Sequence, residues 1–413
     1  MSDSQAQLDE FELTERDQRN NIWRLAIAQA LAGANSVVVY ATGAIVGSML
    51  APTPLLATLP ISIFVVGMAA CILPAGAIAR RYGRRTAFLS GTIAGVMVGL
   101  LSMAAMILGS FWLFCLGTFF GGAYAAVVLS FRFAAADGVA PKRKARALSL
   151  VMGGGVAAGI VGTQLVTFTM ELWSSYLYAA TFLVQALVAA ISAVVLMGVR
   201  LPKPTAAEIS GGRPLATIIR QPKFIVSATC GAVSYMLMNF LMTAAPLAMH
   251  MNGHSHANSN LGLQWHVIAM YAPSFFTGKL IARFGTARIT ALGLLLIGIS
   301  TAVGLGGVDV PHFWWMLILL GIGWNFGFLG ASAWLLECHT FAEKTQVQSL
   351  NDFIIFGLMA VGSFSSGGIL GAYGWSSVLW ISFAPLMLAI FALLFSQLFG
   401  PLFRSCATSL RKE

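Results

Sequence analysis

The chain has 413 residues, of which 58% are hydrophobic and only 9% are charged, and its mean hydropathy is +0.82. So few charged side chains cannot cover the surface of a soluble protein of this length, so the composition excludes a soluble globular protein and predicts an integral membrane protein. The net charge of +10 would suit a nucleic-acid-binding protein, but the sequence shows no basic patch with interleaved aromatic residues, and we expect no nucleic-acid partner.

The chain begins with a polar, acidic segment, MSDSQAQLDEFELTERDQRNN, which lacks the basic residues and apolar core of a secretory signal peptide. Residues 1–21 are therefore predicted to form a cytoplasmic tail. The five cysteines are scattered and include no CxxC pair, which predicts neither a disulfide framework nor a structural zinc site. No nucleophile–base constellation or HExxH motif stands out, so we expect neither an enzyme nor a bound cofactor.

Twelve apolar runs follow, each close to the ~20 residues that cross a bilayer as a helix. They lack the alternation of barrel strands, so we predict an all-α polytopic membrane protein with twelve transmembrane helices. The runs cover residues 25–48, 56–79, 87–109, 112–136, 149–171, 177–199, 224–250, 263–282, 289–308, 313–337, 349–371 and 377–400.

Lysine and arginine occur in every second connection between these runs and are missing from the others. Cytoplasmic connections of membrane proteins carry this excess of basic residues, so both termini are predicted to lie in the cytoplasm. The basic connections lie in the N-terminal tail, at 80–85, 142–146, 200–223 and 279–288, at 344 and in the C-terminal tail.

The segment 201–222 is the only long polar stretch between runs, and it carries proline, glycine and mixed charge, as linkers do. It predicts a cytoplasmic linker between an N-terminal six-helix bundle at 22–200 and a C-terminal six-helix bundle at 223–402. Residues 403–413 are predicted to form a cytoplasmic tail.

The two bundles share a motif. GAIARRYG at 76–83 follows the second run, GKLIARFG at 278–285 follows the eighth, and both read G-x-[IL]-[AI]-x-R-[FY]-G. With the arginines that follow it, the first copy resembles the loop signature G-x-L-a-D-r-x-G-r-[RK] of the major facilitator superfamily. That resemblance implies two pseudo-symmetric bundles that transport a small solute or a metal ion by alternating access through the lipid bilayer. We expect the protein to work as a monomer.

In this family the loop takes part in gating, and topology alone is the alternative role for its arginines. Arg80 stands where the family has an acid that latches the halves, so we expect either a weaker latch or another partner, such as Asp137. Asp137 could also pair with Arg132 or with a residue of another helix. The gating residues implied by the resemblance are Gly76, Arg80, Arg81, Gly83, Arg84, Arg85, Gly278, Arg283 and Gly285.

Two pairs of soft ligands lie on consecutive runs: Met238 with Met242, and His266 with Met270. A spacing of four places each pair on one helix face. Three thioether sulfurs and one imidazole suit Cu(I) better than Mg²⁺ or Ca²⁺, which prefer oxygen ligands. The alternative is packing, the usual role of methionine in an apolar helix.

The two pairs, followed by MYAPSFFTGKLIARFG, resemble the CcoA-like copper importers of bacterial inner membranes, a group that also includes proteins labelled riboflavin transporters. The resemblance implies that this protein lies in a bacterial inner membrane. The resemblance implies that Met238, Met242, His266 and Met270 bind copper as the transported substrate, and copper import is the first prediction. The alternative is uptake of riboflavin or another small organic solute, whose flat ring Trp265 and Tyr271 would sandwich. Further polar or aromatic candidates for a cavity are Asn35, Tyr40, Asn239, Trp324, Asn325, Asn351 and Asp352.

A histidine- and methionine-rich connection, MHMNGHSH at 249–256, separates the seventh and eighth runs. We interpret it as a site that collects copper outside the membrane, with a polar turn as the alternative.

Overall fold

The structure, a computed structural model, describes residues 14–409 except 54, 55, 57, 58, 138 and 202–211. In this part of the chain every regular element is a helix, which confirms the predicted fold class. Ten helices among the described residues are long and apolar enough to cross a membrane.

The chain divides into two compact units, Met1–Ser210 with Ser274–Gly278, and Gly211–Pro273 with Lys279–Glu413. The main division falls within the segment 201–222 that the sequence predicts to be a linker.

The first unit contains the predicted spans one to six. Span four is divided into two helices at Ser130, and the other five are continuous. In chain order the helices are α1 (Glu15–Leu50), α2 (Leu59–Tyr82), α3 (Arg84–Leu108), α4 (Phe111–Val128), α5 (Phe131–Ala136), α6 (Pro141–Thr169) and α7 (Ala179–Met197).

The second unit contains a short helix in the predicted linker and the predicted spans seven to twelve. In chain order the helices are α8 (Leu215–Ile219), α9 (Pro222–Met251), α10 (His256–Tyr271), α11 (Ser274–Phe284), α12 (Thr286–Leu305), α13 (Val310–Leu335) and α14 (Lys344–Ser409). The first five residues of α11 group with the first unit.

Two predicted spans differ from simple continuous helices. Span eight is divided between α10 and α11 at Ala272 and Pro273, because proline has no N–H to continue the helical hydrogen bonds. Spans eleven and twelve both lie in α14, which is interrupted at Gly374, where φ is 78° and ψ is 176°.

The start of α1 follows from its sequence. The hydroxyl of Thr14 accepts a hydrogen bond from the backbone N–H of Asp17 at 3.1 Å, and Glu15 and Asp17 place negative charge in the first turn. The last residues of the predicted tail 1–21 are therefore helical, whereas its first thirteen lie outside the described residues.

Small residues bring the helices of the first unit close together. A Cβ on Gly154 of α6 would lie 2.3 Å from the carbonyl oxygen of Ala26 on α1, and one on Gly162 would lie 2.6 Å from Val37. Membrane helices associate largely through such close contacts, because lipid leaves no hydrophobic driving force between them.

The connection predicted to be a gating loop is shorter than expected: the two helices meet at one glycine. Arg80 and Arg81 belong to the last turn of α2, and α3 begins at Arg84, so only Gly83 lies between them. Its φ of 93° and ψ of 157° are reserved for glycine, because any Cβ would clash with the backbone.

The second copy of the motif has the same form. Gly278 and Arg283 lie in α11, and Gly285 alone joins α11 to α12, with φ 88° and ψ 158°. A further repeat, WSS at 173–175 and at 375–377, has the same offset along the chain as the two glycine motifs. The repeat therefore extends beyond the motif that the sequence analysis identified.

Candidate functional site

Five aromatic side chains from four helices meet inside the second unit: Tyr235, Tyr271, Trp324, Phe328 and Phe356, which we call the aromatic cluster. Tyr235 makes edge-to-face contacts with Trp324, Phe328 and Phe356, at centroid distances of 5.4, 5.0 and 4.9 Å. Trp324 stacks on Phe328 at 5.2 Å and meets the edge of Tyr271 at 5.6 Å. These geometries are the favoured ones for aromatic pairs, so the cluster is a rigid apolar platform.

The members of the cluster differ in exposure. Trp324, Phe328 and Phe356 are fully buried, Tyr235 is 9% exposed, and Tyr271 is half-buried. Tyr271 and Tyr235 therefore keep some accessible ring surface, and Trp324 packs against both.

Seven buried side-chain N or O atoms on these four helices have no hydrogen-bond partner among the described residues. Three of the seven are Nε1 of Trp324, Nδ2 of Asn239 and Nε2 of His266, in side chains that are at most 2% exposed. Leaving such a group unpaired costs about 1–3 kcal/mol, so each calls for an explanation, such as a solute or a water molecule.

The α10–α13 contact fixes the imidazole of His266. Its Nδ1–H donates to the carbonyl oxygen of Leu317 at 2.7 Å, which leaves Nε2 as the acceptor. A Cβ on Gly321 would lie 2.7 Å from the carbonyl oxygen of His266, and the amide of Asn325 donates to the carbonyl oxygen of Met270 at 2.6 Å. This ring is thus held rigidly with one ring nitrogen available.

The aromatic cluster contains no acidic or basic side chain, and no Asp, Glu, Lys or Arg is among the three residues named above for their unpartnered atoms. The acid that lies closest along these helices is Asp352, one turn before Phe356 on α14. It is buried and accepts a hydrogen bond from the amide of Asn351 at 3.2 Å. The arrangement therefore suits an uncharged solute with flat apolar surface and a few polar groups.

The predicted copper ligands are mostly buried. His266 is fully buried, Met238 and Met270 are 2% and 6% exposed, and Met242 is half-buried. Helix α10, which carries His266 and Met270, packs chiefly against α13 and less against α9, which carries Met238 and Met242. The described residues contain no group of three or more His, Cys, Asp or Glu that could hold a metal ion. The copper site stays a prediction.

In the connection predicted to collect copper, Nε2 of His254 donates to the carbonyl oxygen of Val308 at 2.6 Å. This bond ties the α9–α10 connection to the α12–α13 connection. The side chain of His256 lies outside the described residues, and the collecting role stays a prediction.

Other predicted cavity residues are found in different surroundings. In the first unit, Nε2 of Gln185 donates to Oδ1 of Asn35 at 2.9 Å, so Asn35 joins α1 to α7. Tyr40 packs edge-on against Phe64 at 5.3 Å. Trp265, predicted to sandwich a flat ring, is 45% exposed and lies outside the aromatic cluster.

Sequence reasoning missed three of the five cluster residues: Tyr235, Phe328 and Phe356. A signal was available, because Tyr235 lies four residues before Asn239 and Phe328 four residues after Trp324, which places each pair on one helix face.

At the α2–α3 junction, Nε of Arg84 donates to Oδ2 of Asp137 at 2.8 Å, and the two side chains are 7% and 10% exposed. Asp137, expected as an alternative latch partner, thus pairs with the arginine beside the junction glycine, within the first unit. The gating role stays a prediction.

The sequence and the fold both match known transporters. Residues 25–263 match the family model described as Major Facilitator Superfamily. The riboflavin transporter RfnT of Brucella anthropi is 48% identical over 91% of this chain and 95% of its own length. The uncharacterized MFS-type transporter YdeG of Bacillus subtilis is 30% identical over 85% of this chain and 86% of its own.

Solved structures agree at the level of the fold. The human organic anion transporter MFSD10 (TETRAN) matches with a TM-score of 0.72 at 15% identity, covering 91% of this chain and 99% of its own. The fucose:proton symporter FucP of E. coli matches with a TM-score of 0.70 at 14% identity, covering 92% and 97%. The chain therefore belongs to the Major Facilitator Superfamily and is a multi-pass membrane transporter of a small solute rather than an enzyme.

Proposed function

We propose that this transporter carries riboflavin, or a flavin with the same ring system, into the cell. The observation that carries the proposal is the 48% identity, over 91% of the chain, to a protein named as a riboflavin transporter. The sequence analysis made two predictions of the substrate, and this identity supports the flavin alternative better than copper import.

The chemistry of the second unit supports the same solute. Riboflavin is uncharged at neutral pH and combines a flat three-ring system with a polyhydroxylated chain. Tyr271 and Tyr235 offer aromatic surface to such a ring, and stacked or edge-on aromatic pairs contribute about 0.5–1.5 kcal/mol beyond the burial of apolar area. An uncharged solute needs no countercharge, which agrees with the uncharged composition of the cluster.

The spacing along α13 supports contacts at two ends of one elongated solute. Leu317, which holds His266, and Trp324 are seven residues apart, which is about 10 Å along a helix. A flavin is long enough to contact Tyr271 beside Trp324 with its ring and to place its hydroxylated chain near His266, whose buried Nε2 accepts a hydroxyl hydrogen bond only when the helices around it move apart during alternating access. Polar substrate groups would thereby satisfy atoms that are otherwise buried without a partner.

Uptake of radiolabelled riboflavin by cells that lack other riboflavin transport tests the proposal. We expect wild-type protein to support uptake and Trp324→Leu to lower it at least tenfold, because the platform behind Tyr271 and Tyr235 is lost. Trp315→Leu is the matched control, since Trp315 lies on the same helix but is 60% exposed, and uptake should stay within twofold of wild type. Both variants are compared at equal amounts of protein in the membrane.

Wild-type cells that take up no riboflavin above the empty-vector level would overturn the proposal. An equal loss in the Trp324 and Trp315 variants would remove the aromatic cluster as the site while leaving flavin transport in place.

Copper import is the second candidate, favoured by the available Nε2 of buried His266 one turn from the buried sulfur of Met270. Uptake of radioactive copper by the same cells separates the two candidates. If flavin is the substrate, expression of the wild type should not raise copper uptake. Copper uptake that depends on the transporter and is abolished by both His266→Ala and Met242→Ala would instead support copper.

A further inference from the structure

Six basic side chains lie at the α2–α3 junction and at the start of α6 in the first unit. We call them the basic face; they are Arg80, Arg81, Arg85, Lys142, Lys144 and Arg146. Four of them are exposed, and Arg80 and Lys144 are half-buried. None forms an ion pair with an acid among the described residues.

The acids that the structure describes at this end of the unit already have partners. Asp137 holds buried Arg84 at 2.8 Å, and Glu15 pairs with Arg143 at 2.8 Å. The Arg84–Asp137 pair also joins the α2–α3 junction to the segment that leads into α6. The six cations therefore lie on two segments that one ion pair holds together.

Two further features strengthen the positive potential and place it at the membrane boundary. Lys142 and Lys144 lie in the first turn of α6, whose N-terminus carries the positive end of the helix dipole and has no acidic cap. The ring of Tyr82 is 59% exposed with the guanidinium of Arg81 at 5.4 Å from its centroid. An exposed tyrosine at the end of a spanning helix is typical of the headgroup region.

The second unit differs from the first at the equivalent junction. The junction there has Thr286 in place of Arg84. The two acids that follow α13 in the chain, Glu337 and Glu343, neutralise Lys223 and Arg213. The second unit also has exposed cations without an ion pair among the described residues, such as Lys279, Arg283 and Arg288, but no arginine follows its junction glycine.

We propose that the basic face binds the headgroup of an anionic phospholipid in the leaflet that it meets. Its occupant is a lipid rather than a soluble anion, because the cations lie at the ends of spanning helices beside an exposed interfacial tyrosine. Several Lys and Arg residues directly beside a membrane span attract anionic lipids in proportion to their number.

Native mass spectrometry of the purified protein, equilibrated with equal amounts of phosphatidylglycerol and phosphatidylcholine, tests the proposal. We expect wild-type protein to retain phosphatidylglycerol preferentially. The quadruple variant R81Q/R85Q/K142Q/R146Q should retain it at least tenfold less. The matched control R16Q/R19Q/R220Q/R288Q removes the same charge outside the basic face and should bind as wild type does.

Equal retention of the two lipids by wild-type protein would overturn the proposal, as would an equal loss in the quadruple variant and its control. Displacement of phosphatidylglycerol by millimolar inorganic phosphate would assign the face to a soluble anion and overturn it as well. If the quadruple variant does not elute as a single species in size-exclusion chromatography, the double variant K142Q/R146Q, which changes two exposed residues of α6, is measured in the same way.

Discussion

Each unit buries one acid in the connection after its fourth predicted span, but the two acids pair with cations from different parts of the chain. In the first unit Asp137 holds Arg84, the residue directly after the junction glycine. In the second unit Glu343 holds Arg213, which lies just before α8 in the predicted linker. The position of the acid is thus repeated, whereas the source of its partner is not.

The backbone of the two junctions, by contrast, is nearly the same. Gly83 and Gly285 differ by 5° or less in φ and ψ, although Arg84 follows one and Thr286 the other. The turn between two antiparallel helices fixes the glycine, because no other residue adopts this conformation without strain. The charged residues around it are free to differ, and the two units use that freedom for different contacts.

Among the variants that test this difference between the units, the one that removes the charge of Asp137 should lower stability most. In Asp137→Asn the guanidinium of Arg84 stays buried, at 7% exposure, without its countercharge. Breaking one partner of a buried ion pair costs about 3–5 kcal/mol, so thermal unfolding of the purified protein should occur at a clearly lower temperature. Asp309→Asn, the same change at an 81% exposed acid, is the control and should alter the melting temperature little. An equal melting temperature for both variants would show that the pair does not stabilise the first unit.

Replacing a junction glycine tests the shared backbone. The Cβ added by Gly285→Ala meets no atom within 4 Å beyond the adjoining backbone, so the whole effect of the variant comes from the φ of 88°. We expect a loss of about 1–3 kcal/mol of stability. Gly357→Ala is the matched control, because a Cβ there also meets nothing, but the residue lies in regular helix, where alanine is favoured by about 0.5–1 kcal/mol. Opposite shifts in melting temperature are expected, and shifts of the same sign would contradict the strain argument.

Most of the fold followed from the sequence, because apolar run length and the placement of Lys and Arg are strong signals in a membrane protein. The interruption of span eight could also be seen at Pro273, yet the run 263–282 was predicted as one helix. The site followed less well. His266, Asn239, Tyr271 and Trp324 stand out as polar or amphipathic residues in apolar runs, but Phe328 and Phe356 look like any apolar residue until four helices bring them together.

The ion pair between Arg213 and Glu343 in the second unit should make the stability of the folded protein depend on pH. The hydrogen bonds from Arg213 hold the pKa of Glu343 at about 2, below its ordinary value of 4.5, so the pair stabilises the folded state above pH 4.5. That contribution should disappear as the pH falls from about 4.5 to about 2. We expect it to be about 1–2 kcal/mol, because Arg213 is 47% exposed and water screens the pair.

Glu343→Gln isolates the charge, because glutamine can still accept the hydrogen bond from the backbone N–H of Thr340 that the carboxylate accepts at 2.9 Å. Melting temperatures of wild type and variant should differ at pH 6 and converge toward pH 3. A constant difference across that range would assign the effect to packing rather than to the ion pair.

The smallest effect is expected at a pair with the same bond length but far more exposure. Arg143 and Glu15 are 2.8 Å apart, as Arg84 and Asp137 are, yet their side chains are 57% and 80% exposed. Water solvates both charges when the pair is broken, so Arg143→Gln should cost less than about 1 kcal/mol in thermal unfolding. A loss as large as that of Asp137→Asn would mean that pairing alone, and not burial, sets the stability of this end of the first unit. A small loss would show that burial, and not the distance between the charged atoms, decides how much each pair contributes to stability.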